Sequence, residues 1–179
     1  EGDRVLDVGC GSGFLGKALV ASPGCPVGVR VSGLEQQRQA HRLTEGDIYD
    51  GRTMSYPANT FEVVILADVV HHEAEPDQLV AECIRVSRRL LIIKDHQVQG
   101  LWARPRLAFL DWAANAPYGV PCLHQYFSPE QWEALHRRHA LIVEQELHSM
   151  RLYPRGLNLL FGGALHYFAV LKVPGVAPT

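Results

Sequence analysis

The chain has 179 residues and a formal net charge of −2, with a pI near 6.5. This length suits one domain with a substantial core, and we expect that domain over residues 1–172 with a flexible tail at 173–179. The near balance of acidic and basic side chains argues against a nucleic-acid partner, which would need a basic surface. No apolar run is long enough to cross a membrane, no leader pattern is present, and the four cysteines form no CxxC pair. We therefore expect a cytoplasmic protein with reduced thiols and no membrane span.

The first half of the chain alternates short apolar runs with helical patterns. The run Val5–Val8 predicts a first strand, and the almost continuously apolar run Phe61–Ala67 predicts a strand that is buried on both faces. Pro76 suits the first turn of a helix that continues through Val86. The other elements of this half are a helix at Phe14–Val20, a strand at Val27–Val31, a helix near Leu34–Arg42, and strands at Leu43–Ile48 and Leu90–Ile93. This alternation predicts an α/β fold with a doubly wound, mostly parallel sheet.

The last third of the chain follows a different pattern. We expect a helical and irregular insert over about 100–128, with its helix at Leu101–Trp112. The segment Ser128-Pro129-Glu130-Gln131 is a capping box that opens another helix. Ala140–Leu147 and Ala164–Lys172 then predict two strands that pair antiparallel. They would complete a seven-stranded sheet with an antiparallel C-terminal edge strand.

A glycine-rich loop follows the first strand. Gly9, Gly11 and Gly13 alternate, so the backbone can turn sharply and approach a nucleotide-sized cofactor without a Cβ in the way. Two patterns overlap here. Gly11–Gly16 matches the GxGxxG fingerprint of dinucleotide-binding folds, and Asp7–Gly13 matches a D-x-G-x-G-x-G loop that starts closer to the end of the strand. The second pattern includes the acidic residue and accounts for more of the segment.

The D-x-G-x-G-x-G loop resembles that of the class I S-adenosylmethionine-dependent methyltransferases. Three further segments in the same order resemble the small-molecule, type 11-like members of that family: Glu45–Ile48, Met54–Val64, and Ala67–Glu73 with the helix after it. The resemblance implies a Rossmann-like methyltransferase fold and methyl transfer to a small-molecule acceptor. It implies S-adenosylmethionine as cofactor and S-adenosylhomocysteine as product.

The resemblance also implies roles for single residues. Asp7 is expected near the amino group of the cofactor, where a carboxylate complements positive charge. Asp47 and the Ile48 backbone are expected at the adenine, and Ala67 and Asp68 at the reacting methyl group, as ligands bind at the carboxyl ends of strands in open α/β sheets. The glycine loop is expected to act through its backbone at Gly9, Cys10, Gly11 and Gly13.

One position departs from the family pattern. The predicted second strand ends with Arg30 and Val31, where the family has an acid that accepts both ribose hydroxyls. A guanidinium has donors and no acceptor, and Glu35, a few residues further on, is an alternative acceptor for the ribose. Arg30 leaves two alternatives open: a noncatalytic methyltransferase-like binding or assembly module, and an NADP-dependent oxidoreductase in which Arg30 binds the 2′-phosphate.

The residues expected at the acceptor either follow the fourth and fifth strands or lie within the insert. His72 and His96 are candidate general bases, because a neutral imidazole accepts a proton near pH 7. Contiguous His71-His72-Glu73 lacks a spaced third ligand, so we predict no metal site. The candidate substrate-binding residues are Trp112, Asn115, His124 and Tyr126. The acceptor's identity and the oligomeric state are not readable from the sequence.

Overall fold

The computed structural model describes residues 2–36, 43, 45–115 and 123–175, and seven strands within these ranges form one sheet. The strands are β1 (Arg4–Val8), β2 (Arg30–Glu35), β3 (Gly46–Ile48), β4 (Phe61–Ala67), β5 (Ser87–His96), β6 (Ile142–Leu147) and β7 (His166–Lys172). They lie in the order β3-β2-β1-β4-β5-β7-β6. The pairs from β3 to β5 are parallel, whereas β7 runs antiparallel to both β5 and β6. The predicted fold class is confirmed, with β7 inserted between β5 and the outermost strand β6.

Helices connect the strands on both faces of the sheet. They are α1 (Phe14–Ala21), α2 (Pro76–Val86), α3 (Ala103–Asn115), α4 (Pro129–Arg138) and α5 (Arg155–Phe161), with one 3-10 turn at Val70–His72. The sequence predicted the first four of these helices and neither the short α5 nor the 3-10 turn. None of the helices in the described part of the chain combines the length and the apolar content that a bilayer crossing requires.

The second strand lies later in the chain than its sequence predicts. The expected strand Val27–Val31 is wrong, because Val27 is fully exposed and Gly28 has a φ of 88°, which interrupts an extended backbone. β2 instead begins at Arg30 and ends at Glu35. The middle of β2 is polar and includes a glycine, so it shows little of the pattern of a strand. The valines just before it alternate more clearly, although they belong to a turn.

The expected helix near 34–42 and the expected insert are tested only in part. Leu34 lies in β2, and residues 37–42 lie outside the described residues, as do 116–122 of the insert. Within the expected tail, the Val173 backbone N–H donates to Arg89 O at 3.1 Å, and 176–179 lie outside the described residues. The domain limits stay a prediction.

The sheet is buried on both faces because successive residues of a strand point to opposite sides. In β1, Leu6 and Val8 belong to the main core together with α2 and α4, while Val5 packs on the other face with Leu19 of α1. At the far end of the main core, Trp132 of α4 stacks on Tyr167 of β7 with ring centroids 4.5 Å apart. This two-sided burial holds the carboxyl ends of the parallel strands in one line.

The N-terminus of α4 confirms the capping box. The Gln131 backbone N–H donates to Ser128 Oγ at 3.3 Å, and the Ser128 backbone N–H donates to Gln131 Oε1 at 2.8 Å. Two N–H groups that the helix cannot bond internally are thereby paired. The cap anchors the helix that carries Trp132 into the core.

Replacing Ser128 with alanine should lower the free energy of unfolding by about 1 kcal/mol, because one capping hydrogen bond is lost. Urea titration followed by circular dichroism measures the change. The matched control is Ser22→Ala, since the exposed Ser22 caps the end of α1 through its backbone N–H rather than its side chain. Equal effects of the two substitutions would contradict the role of the cap.

Candidate active site

The glycine loop lies at the carboxyl end of β1, and its backbone requires glycine at three positions. Gly9, Gly11 and Gly13 have φ values of 69°, 53° and 79°. A Cβ on Gly9 would lie 2.6 Å from a methyl group of Val69, whereas one on Gly11 would meet nothing within 4 Å. The loop is therefore packed against the segment after β4 on one side and open at Gly11 on the other.

Glu35 joins the end of β2 to this loop. Its Oε2 accepts a hydrogen bond from the Gly11 backbone N–H at 2.8 Å, and its Oε1 accepts one from the Gln36 N–H at 2.9 Å. The backbone N–H of Gly9 donates to Leu34 O at 2.8 Å, which fixes the start of the loop to the same strand. An acid at the carboxyl end of β2 thus lies beside the open part of the loop.

Asp7 lies below the loop as a buried acid. Only 2% of the residue is exposed, and its Oδ2 has no hydrogen-bond partner among the described residues. Burial raises the pKa of Asp7 from 3.8 to about 6, and the negative charge of Glu35 adds to that increase. A buried carboxylate with an unpaired oxygen is costly without a cation or a donor beside it. The geometry at Asp7 fits a positively charged ligand group.

Arg30 and Val31 do not reach the glycine loop. In the register of β1 and β2, Arg30 pairs with Arg4 at the amino end of the sheet and Val31 pairs with Val5. Arg30 lines a surface cleft with Arg4 and Arg88. The expectation that Arg30 lies at the carboxyl end of β2 is wrong, because that strand starts where the sequence predicted its end.

The residues expected at the adenine lie beside Glu35. Asp47 pairs with Leu34 and Ile48 pairs with Glu35 in the register of β2 and β3. The Tyr56 hydroxyl donates to Asp47 Oδ2 at 2.7 Å. Both residues are exposed at the same edge of the sheet as the glycine loop.

The segment after β4 begins with a constrained aspartate. Asp68 follows Ala67 and has a φ of 56°, an uncommon conformation for a residue with a side chain. Its backbone N–H donates to Lys94 O at 2.7 Å, and its carboxylate pairs with Lys94 Nζ at 2.5 Å. The chain is thereby turned toward Val69 and the 3-10 turn, at the edge where ligands bind in open α/β sheets.

Asp95, at the end of β5, positions the 3-10 turn. It is fully buried and accepts hydrogen bonds from the backbone N–H groups of Val70 and His96 at 2.9 and 2.6 Å. Its Oδ1 also lies 2.5 Å from His71 Nδ1. Burial alone would lower the pKa of His71, but the carboxylates of Asp95 and Asp111 outweigh this effect and raise it above its usual value. His71 is thus held in one orientation by a buried acid.

Asp111 of α3 brings the insert into the same cluster. The Tyr126 hydroxyl donates to its Oδ2 at 2.9 Å, and Asn115 Nδ2 donates to its Oδ1 at 2.7 Å. His124 Nδ1 lies 2.9 Å from the Tyr126 hydroxyl, and His72 Nε2 lies 3.6 Å from Asp111 Oδ1. Burial opposes the ionisation of Asp111. The hydrogen bonds from Tyr126 and Asn115 and the imidazoles of His71 and His72 nevertheless hold the pKa of Asp111 below its usual value.

His96 forms a wall of this cluster. Its ring centroid lies 4.8 Å from that of His71 and 5.9 Å from that of Tyr126. Burial lowers the pKa of His96 to about 4, so the ring is neutral near pH 7. Its buried Nδ1 has no hydrogen-bond partner among the described residues. The ring thus presents an unpaired nitrogen inside the cluster.

The structure brings together His72, His96, Asn115, His124 and Tyr126, and it separates Trp112 from them. Trp112 is 59% exposed and contacts Phe109, with ring centroids 6.0 Å apart. The sequence did not indicate that Asp95 contacts His71 or that Asp111 contacts His72. Asp95 was readable as an acid at the end of an apolar strand, whereas the contact of Asp111 with His72 depends on how α3 folds back.

Comparison with known proteins agrees with this geometry. A family model described as "Methyltransferase domain" matches residues 6–90. A ubiquinone biosynthesis O-methyltransferase of Thiobacillus denitrificans is 30% identical over 97 residues, which cover 48% of this chain and 40% of that protein. Over residues 6–90 the chain matches the class I S-adenosylmethionine-dependent methyltransferase family.

Solved structures support the methyltransferase fold across the whole chain. A chain of the complex between the Haloferax volcanii Trm112 methyltransferase activator and a methyltransferase is 15% identical, with a TM-score of 0.68, over 100% of this chain and 85% of that one. A S-adenosylmethionine-dependent methyltransferase of Aquifex aeolicus is 16% identical, with a TM-score of 0.63, over 97% of this chain and 83% of that one. At these identities the likeness concerns the fold.

Replacing Asp7 with asparagine should stabilise this methyltransferase domain near neutral pH in the absence of ligand. Because folding raises the pKa of Asp7, its contribution to stability is complete below about pH 4 and is lost as the pH rises through about 6. The difference between the pKa of Asp7 in the folded protein and its ordinary value corresponds to roughly 2–3 kcal/mol of unfolding free energy near neutral pH. Thermal unfolding at about pH 4 and about pH 7.5 measures the effect.

The gain in melting temperature should therefore be present at the higher pH and nearly absent at the lower pH. The exposed acid-to-amide variant Glu75→Gln is the matched control, and its melting temperature should follow the wild type at both pH values. An Asp7→Asn protein that is less stable than the wild type near neutral pH would contradict the free-energy cost assigned to burying this charged carboxylate.

Proposed function

We propose that this domain binds S-adenosylmethionine on the glycine loop and transfers its methyl group to an oxygen atom of a small-molecule acceptor. The observation that carries the proposal is the pair of carboxylates around the loop: buried Asp7 with an unpaired oxygen, and Glu35 bonded to Gly11. One acid is suited to a cation and the other to hydroxyl groups. Such a pair at the carboxyl edge of a parallel sheet suits a positively charged nucleoside.

The described residues fit this cofactor. Asp7 would face its ammonium and sulfonium charges, which relieves the cost of an unpaired buried carboxylate. Each oxygen of Glu35 accepts one backbone hydrogen bond and keeps a further lone pair for a ribose hydroxyl. Asp47 and the Ile48 backbone would face the adenine, and Gly11 leaves the loop open to the ligand. The cofactor supplies a methyl group made electrophilic by the sulfonium.

We assign the acceptor to the cluster around Asp111. His72 is partly exposed and lies 3.6 Å from Asp111, which Asn115, His124 and Tyr126 also contact. Methyl transfer to oxygen requires a nucleophile held in line with the methyl group and relieved of its proton, and imidazoles and a carboxylate suit that task. The curated relatives are O-methyltransferases by name, which favours oxygen over nitrogen or carbon. His96 would wall the acceptor as a neutral ring.

The position of Arg30 removes the main support for the two alternative functions. Both the oxidoreductase and the noncatalytic module were motivated by an arginine at the ribose position. Arg30 lies at the amino end of β2, whereas the carboxyl end carries Glu35. An acid there suits a ribose that carries both hydroxyls.

Glu35→Gln should weaken binding of S-adenosylhomocysteine by about tenfold to a hundredfold, which corresponds to roughly 1.5–3 kcal/mol for hydrogen bonds to a charged acceptor. The amide keeps the size of the side chain but replaces one acceptor with a donor. Calorimetric titration measures the dissociation constants. Arg30→Gln is the control, because Arg30 lies at the opposite edge of the sheet and its replacement should leave the affinity unchanged. A larger loss in Arg30→Gln than in Glu35→Gln would overturn the ribose assignment.

The transfer itself is tested with S-adenosylmethionine carrying a labelled methyl group and a panel of hydroxylated aromatic compounds. We expect label in an ether product, and a strongly reduced rate in His72→Ala with unchanged affinity for S-adenosylhomocysteine. The control is His139→Ala, which should leave the rate unchanged, because the partly buried His139 pairs with Asp77 at 2.9 Å outside the cluster. Label found only on nitrogen or carbon acceptors would reject oxygen as the acceptor atom.

A further inference from the structure

Three side chains bring metal-binding atoms close together between the 3-10 turn and α3. His71 Nε2 and His72 Nε2 each lie 3.6 Å from Asp111 Oδ1, and the three ligand atoms all lie within 4.8 Å of one another. These separations are too long for hydrogen bonds. Ligand atoms at about 2.0–2.2 Å from a tetrahedral zinc ion lie roughly 3.4 Å from one another. The cluster has nearly the spacing of ligands around an ion.

The surrounding hydrogen bonds orient the three ligand atoms. Asp95 lies 2.5 Å from His71 Nδ1, so when the ring is neutral its proton is held there and Nε2 carries a lone pair. The Asn115 amide donates to Asp111 Oδ1 at 2.7 Å, and its Nδ2 lies 3.5 Å from His72 Nε2. A divalent cation here takes the place of the proton that His71 Nε2 carries when the ring is charged, and the Asp111 carboxylate attracts it.

The contact between Asp95 and His71 is of a kind found around bound metals. A histidine ligand usually donates its second ring N–H to a carboxylate, which fixes the tautomer and the direction of the ring. Asp95 is in turn fixed by the backbone N–H groups of Val70 and His96. The Tyr126 hydroxyl donates to the other oxygen of Asp111 and orients it in the same way. Two of the three ligands are thus held in place before any ion binds.

We propose that His71, His72 and Asp111 bind a divalent transition-metal ion whose open positions take an oxygen of the methyl acceptor. Two imidazoles and one carboxylate suit zinc, cobalt or iron rather than magnesium, and three protein ligands leave positions for another molecule. The role in acceptor binding rests on the proposed function, whereas metal binding does not. With the ion bound, His72 acts as a ligand rather than as the base, and the coordinated hydroxyl, whose pKa is lowered, loses its proton to solvent near neutral pH.

The sequence did not predict this site because its ligands come from distant segments. His71 and His72 are contiguous, and Glu73 beside them bonds Gln36 at 2.8 Å instead of joining them. The third ligand comes from α3, which packs over the 3-10 turn. The fold therefore supplies the spaced ligand that the motif lacks.

The test is equilibrium dialysis of chelator-treated whole protein against Zn²⁺ or Co²⁺, with the bound metal measured by elemental analysis. We expect one equivalent in the wild type, retained in excess Mg²⁺, and a visible cobalt absorption band that catechol shifts. His72→Gln should lose the equivalent, and Asp95→Asn should bind about tenfold to a hundredfold more weakly, as the loss of a residue that orients a ligand does. Circular dichroism checks that each variant is folded.

His139→Ala is the control for adventitious binding, because His139 and Asp77 form another histidine–acid pair that lies outside the cluster. It should keep the full equivalent of metal. A wild type that holds no more metal than His72→Gln would overturn the site. A cobalt band that catechol leaves unchanged would overturn the acceptor role. Titration with S-adenosylhomocysteine in the same samples shows separately whether the cofactor proposal fails.

Discussion

The close approach of Gly9 to Val69 joins the two halves of the site. With no Cβ at Gly9, the loop after β1 and the turn after β4 pack directly against each other, and a methyl group there would lie 2.6 Å from Val69. The carboxylates of Asp7 and Glu35 lie beside this loop, at the ends of β1 and β2. Val69 precedes the turn that carries His71 and His72. In the proposed function, the absence of a side chain at Gly9 therefore sets how near the methyl donor can lie to the acceptor cluster.

Two buried aspartates at this edge of the sheet are held in opposite ways. Asp95 accepts hydrogen bonds from two backbone N–H groups and faces His71, so its charge is compensated within the protein. Asp7 has an unpaired oxygen and a pKa raised by burial to about 6. Asp95 therefore orients other residues of the site, whereas Asp7 is the acid that we propose pairs with a positively charged ligand group.

Most of the fold was predictable from local patterns, since strand and helix alternate and the capping box at Ser128 starts α4 where expected. Besides the short α5 and the 3-10 turn, the exception is β2, whose polar sequence from Arg30 to Glu35 has no period-two alternation. Its assignment as a strand comes from pairing with β1 and β3, which a local pattern does not contain. Because of that error, the sequence put Arg30 at the ribose position, where we now propose Glu35.

The candidate site was predictable where it follows a strand and less so where it depends on packing. Asp7, the glycines and Asp68 lie at the carboxyl ends of their strands as expected, because sheet topology fixes that edge. Asp111 joins the histidines through the docking of α3, and Trp112 beside it points away from them. Neighbouring residues on a helix face different directions, so the choice between these two needed the tertiary structure.

In the proposed function, the glycine loop, Asp7 and Glu35 together hold a positively charged nucleoside at the carboxyl edge of the sheet. A crystal structure of the protein with S-adenosylhomocysteine tests this arrangement most directly. We expect ribose hydroxyls on the Glu35 carboxylate and the amino group of the ligand directed toward Asp7. A ligand bound in the cleft around Arg30, or a glycine loop covered by protein side chains, would contradict it.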